Sequence, residues 1–158
     1  MITLADVRDY LKSFGLFDGY YVGRIDASKK NVLGVYDLSP STRHRTIGKG
    51  TRKYDVKGVS LLIHGDTNKD RTERLAIRLY EALERVNLLN FYTWDEIKSM
   101  PWSEMLDDSW LNTVPLLMGD KKIYIIDLQQ DAPIDVDADS SKVYEYVIEV
   151  LFYVERED

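Results

Sequence analysis

His64 stands two residues before Asp66, and a His–Asp pair is the beginning of nucleophilic chemistry. Such a pair works only with a nucleophile and a third orienting group, and no convincing candidate completes it. His64 therefore reads as a packed histidine at a strand end. Asp135, Asp137 and Asp139 have the spacing that opens a calcium loop. Ser140 stands where that loop needs glycine, however, and Tyr146 where it needs a bidentate glutamate. A solvated acidic turn with no metal is the expectation. A third set, Asp55 and Lys57 on one strand with Asp37 upstream, would suit a magnesium-dependent α/β enzyme, although charged residues at a solvated strand end are common. Ile47-Gly48-Lys49-Gly50 has no following helix to hold a phosphate by its dipole. The chain has no cysteine, which excludes thiol nucleophiles, disulfides and cysteine zinc sites. Neither a catalytic centre nor a cofactor is expected.

The bulk properties point the same way. With 158 residues, 44% of them hydrophobic, the chain suits one domain spanning 1–158 rather than two. The opening, MITLADVRDYLKSFG, lacks a basic segment followed by an apolar run, and no stretch is apolar for long enough to span a bilayer. A soluble, intracellular protein without membrane contact is expected. The net charge of −6 argues against a general nucleic-acid binder. Its distribution is uneven. Residues 39–54 carry five cations (Arg43, Arg45, Lys49, Arg52, Lys53) and no acid, whereas 131–158 carry nine acids and two bases. These are either two solvated segments or complementary surfaces of neighbouring copies.

Periodicity supplies the elements. Leu4, Val7, Leu11 and Phe14 recur at helical spacing behind Thr3, which can cap with Asp6, and Gly15 is placed to end the helix. Tyr20–Ile25 and Val32–Leu38 read as short strands joined as a hairpin. A long mobile loop, 39–53, precedes a strand over Arg52–His64 that is apolar on both faces and so belongs at the sheet centre. Lys69–Val86 is predicted as the main helix, capped by Thr67 or Asn68, with Leu75, Leu79, Leu83 and Val86 as its stripe. Asn87–Thr113 is irregular, with Trp94, Trp102 and Trp110 expected as local core anchors and a capping box at Thr93–Glu96. Leu116–Met118 and Lys122–Leu128 form a hairpin, and Gln129–Ser141 is an acidic loop. Val143–Glu155 is an alternating strand of thirteen residues, roughly 43 Å if extended. Against a usual strand of about 17–20 Å, it either bends or reaches beyond its own domain.

The order of these elements carries a resemblance. A helix and two short strands (YYVGRI, then NVLGVY) precede a strand written VKGVSLLIHG, a helix written RTERLAIRLYEAL and a late YEYVIEVLFYVERE strand. The series resembles the bacteriophage minor capsid or tail terminator proteins, which join head to tail. The resemblance covers nearly the whole chain and rests on phrasing rather than on an invariant motif. It implies an α/β (α+β) fold with a mixed, largely antiparallel sheet flanked by helices. It also implies a hexameric ring that caps the tail tube, stops its growth and meets the head connector, within a virion assembled in the host cytoplasm. The partners would be further copies of the chain, the tail tube protein, the connector protein and, non-specifically, DNA in the channel. Arg43, Arg45, Lys49, Arg52 and Lys53 are expected to face the lumen or the tube. Asp135, Asp137, Asp139, Glu145, Glu149 and Tyr153 are expected at the subunit contact. The alternative is a small magnesium-dependent, nuclease-like enzyme using Asp37, Asp55 and Lys57.

Overall fold

A computed structural model describes residues 1–38, 54–91, 94–99, 115–138 and 141–156. The basic loop 39–53, Asp139, Trp102 and Trp110 lie outside these residues. The expected α+β architecture is present. Helix α1 (Leu4–Lys12) is followed by β1 (Gly19–Val22), β2 (Val32–Asp37) and β3 (Tyr54–His64). Helices α2 (Lys69–Phe91) and α3 (Trp94–Ser99) come next, then β4 (Leu117–Met118), β5 (Lys121–Leu128), β6 (Ile134–Ala138) and β7 (Tyr144–Glu155). The strands form one sheet in the order β1-β2-β3-β7-β5-β4, with β6 also pairing β7.

Local chemistry starts both long helices. Thr3 Oγ1 accepts from the Asp6 amide at 3.2 Å while the Asp6 carboxylate accepts from the Thr3 amide at 2.8 Å, a reciprocal capping box. Asn68 rather than Thr67 caps α2, its Oδ1 accepting from the Arg71 amide at 3.1 Å. The turn before it is tight. Thr72, fully buried, donates to the Asn68 carbonyl and accepts from the Asp66 amide. A β-carbon at Gly65 would stand 2.2 Å from the Thr72 hydroxyl oxygen, so only glycine lets the strand end approach the helix this closely.

Both long helices pack on one face of the sheet, called here the inner face. Val7, Tyr10 and Leu11 of α1, with Ala76, Leu79, Leu83 and Val86 of α2, meet Leu33, Val35, Val59, Leu61, Ile63, Ile148, Val150 and Phe152. Fully burying each such Val, Leu, Ile or Phe stabilises the fold by about 1.5–3 kcal/mol relative to exposure. Tyr10 joins the layers, its ring edge-on to Phe152 at 6.0 Å and its hydroxyl donating to the Pro115 carbonyl at 2.8 Å. Burial pushes its phenol pKa up.

Several sequence expectations need correction. β1 and β2 are not a hairpin but parallel neighbours, with Gly19 beside Val32 and Val22 beside Val35. The chain leaves β1 at Gly23, whose amide donates to the Val35 carbonyl, and runs back before entering β2. The acidic loop contains a strand, because β6 pairs Ile134 with Val147 and Asp135 with Tyr146. Helix α2 continues past Val86 to Phe91.

The long last strand does not reach outside its domain. β3 matches it residue for residue from Tyr54↔Glu155 to His64↔Glu145. Its other edge is divided, β5 taking Val150–Val154 and β6 taking the Tyr144–Val147 end.

Candidate functional site

Asp37, Asp55, Lys57, His64, Asp66 and Asp135 each have an ionic or hydrogen-bonding partner. Lys57 Nζ contacts Asp37 Oδ1 at 2.9 Å. Asp55, on the same face as Lys57, lies 3.7 Å from the Met1 amino group and 4.0 Å from Arg156 Nε. The structure thus brings Asp37 and Lys57 together as an ion pair and places Asp55 among other cations. His64 does not pair with Asp66. Its Nδ1 lies 2.9 Å from Glu145 Oε2, and its side chain is 1% exposed. Asp66 instead accepts from the Asn68 amide at 2.6 Å and lies 3.5 Å from Arg71 Nε.

Asp135 reaches Lys69 on α2 at 2.9 Å. The Lys69 ammonium, followed by the Asp137 amide, holds the Asp135 carboxyl below its ordinary pKa. Among the described residues no group of acids and histidines is arranged to hold a metal ion. A cleft of about 400 Å³ between α1 and the β4–β5 turn is lined by Asp6, Asp9, Tyr10, Lys121 and neighbours. Asp6 is committed to capping α1, and Tyr10 to Pro115.

What remains is a surface rather than a cleft. The registers place Tyr21, Gly34, Leu62, Val147 and Ile134 side by side across five strands, on the face opposite both long helices. A parallel row further along joins Val56, Tyr153 and Ile125. Between them Tyr36, Ser60 and Glu149 form a more polar row, and Leu151 lies beside Asp127.

Ile25 and Tyr36 fill the space above Gly34 in this outer face. A β-carbon at Gly34 would stand 2.6 Å from Ile25 and 2.8 Å from the Tyr36 ring. Tyr54 and Tyr153 lie with ring centroids 5.7 Å apart. Burial, then the Asp127 carboxylate, raises the Tyr153 phenol pKa. Most of these residues are half-buried, and Ile125 and Ile134 are exposed at 38% and 42%. None of them belongs to the core that the helices cover.

Of the residues expected at a subunit contact, Glu149 and Tyr153 sit on this outer face. Glu145 shares the face but is engaged with His64, and Asp135 turns to Lys69 on the helix side. Asp137 lies on the exposed strand β6. The aromatic and aliphatic members Tyr21, Tyr36, Leu62, Val147 and Ile125 were missed by sequence reasoning. Their signal was the apolar half of each strand's second face, readable only once the strand order is known.

No family model matches the chain, and no curated protein or solved structure shows a significant match to it. Among the described residues no helix is long and apolar enough to cross a membrane.

Proposed function

We propose that the chain is a structural subunit of a bacteriophage or prophage particle, of the tail terminator kind. In this reading copies of it form a ring, hexameric by the family resemblance, on the last ring of the tail tube. The ring ends tube growth and offers its far side to the head connector. The protein works by binding alone and acts in the virion at the head–tail junction, after assembly in the host cytoplasm.

The observation that carries the proposal is the outer face of the sheet. Half-buried and exposed apolar and aromatic side chains continuous over several strands are the kind of surface that meets another protein. Its place on the sheet, away from the core that α1 and α2 cover, supports assigning it to the contact between neighbouring subunits. A closed ring needs two different surfaces on each subunit, and the basic stretch from Arg43 to Lys53 has the charge to complement an acidic one.

Native mass by light scattering, at several concentrations and at low and moderate salt, is the test. A discrete hexamer-sized species that weakens with salt is expected, together with retention on purified tail tubes. A chain that stays monomeric even with tube present removes the reading.

A further inference from the structure

The charged side chains that the strands place on the outer face are nearly all acidic. Glu149 lies at its centre, Asp127 beside Leu151 and Glu155 at its end, with Lys122 at one corner, while Glu145 is engaged with His64. The aromatic members are tyrosines, whose rings accept guanidinium groups on their faces and aliphatic stems along their edges. An acidic, tyrosine-lined face rejects an identical copy of itself, because Glu149 and Asp127 would then meet like charges. Its complement is a basic polypeptide without acids. The chain itself carries one in residues 39–53, with five cations and no carboxylate. Both ends of the stretch are held, at β2 and β3, so its fifteen residues, extended at about 3.3 Å each, reach outward by at most about 25 Å, enough to lie over several strands of a neighbour.

We propose that the outer face docks the basic stretch 39–53 of a neighbouring copy, an inference that rests on the assembly reading and names its subunit contact. The contact is heterologous: one copy contributes the sheet face, the next the basic stretch. Repeated around an axis it closes a ring or, if the rotation does not close, extends a filament.

The test uses the full chain with Arg43, Arg45, Lys49, Arg52 and Lys53 replaced by glutamine, which removes competition from its own stretch. A synthetic peptide of residues 39–53 is titrated into it and amide shifts are followed by NMR. Saturable shifts at Ser60, Val147, Glu149 and Tyr153 are expected. Asp127→Lys with Glu149→Lys should weaken binding roughly tenfold or more. A peptide with its five cations changed to glutamate should then bind the reversed face and not the original one, a rescue that a merely structural role would not give. Absence of saturable shifts, shifts confined to other surfaces, or indifference to charge reversal each overturns the proposal. The ring is read separately. A wild-type hexamer whose mass ignores the reversal leaves the assembly reading standing without this contact. Peptide binding by a chain that never assembles keeps the docking site and removes the ring.

Discussion

At the scale of single residues, four positions hold more of the structure than their place in the sequence suggests. Asn87 is one. Its amide nitrogen donates to the Ile126 carbonyl at 2.6 Å and its oxygen accepts from the Ile126 amide at 2.8 Å. The side chain thus stands in for a strand at the outer edge of β5, where unpaired backbone would invite a foreign one. Asn87→Ala leaves both backbone groups of a buried residue without this partner. It should lower stability by about 2 kcal/mol, measured by urea unfolding. Gly65→Ala drives a methyl into Thr72, and a loss of about 2 kcal/mol or more is expected in the same assay. Asp6 and Asp135 set the acid limit. Both carboxyls titrate below the ordinary 3.8 in the folded chain, Asp6 through the Thr3 amide and Asp135 through Lys69. Their contribution is complete above the unfolded pKa and disappears as pH falls through the lowered values. A thermal melting series from pH 6 to pH 2 should show its decline below about pH 4, and Asp135→Asn should make that decline shallower.

At the scale of elements, legibility followed the range of the interactions. Helices α1 and α2 were readable because 3.6-residue periodicity and caps such as Thr3 and Asn68 are local. β3 and β7 were readable because their alternation is long. β6 was hidden by its aspartates: Ile134 and Val136 alternate with acids, which composition assigns to a loop. The parallel pairing of β1 and β2 was equally hidden, since a nine-residue return through Gly23–Asn31 looks like any turn. Pairing is decided by distant partners, which also explains why Glu145 could be read as a surface charge when it faces buried His64. The ladder between β3 and β7 organises both faces, so its side chains should be the most costly to remove. Phe152, fully buried against Tyr10, is the strongest case. Phe152→Ala is expected to lower stability by about 3–5 kcal/mol, whereas Ile125→Ala on the outer face should change it far less while weakening any assembly.

At the scale of the whole molecule, the division of labour between the two sheet faces is the main feature. One face is closed by α1 and α2 and carries the core. The other presents tyrosines, aliphatic side chains and carboxylates with neither long helix on it, and it is the face on which the proposed assembly rests. Charge separation between residues 39–54 and 131–158 was visible in the sequence, but which acids share a face was not. Leu62→Asp on the outer face should leave the far-UV circular dichroism spectrum unchanged. It should also shift the native mass toward the single chain at micromolar concentration.

The central ladder has a further consequence for biosynthesis. Its two strands are separated by some eighty residues of chain, and β7 follows every other strand in order of synthesis. On the ribosome β3 must wait, with one long edge unmatched, until some eighty further residues and β7 itself have been made. Distant pairing of this kind closes slowly, and an unpartnered edge is a template for aggregation in the interval. The yield of soluble protein in a heterologous host should therefore depend on the pace of translation and on chaperone supply more than on the stability of the finished fold.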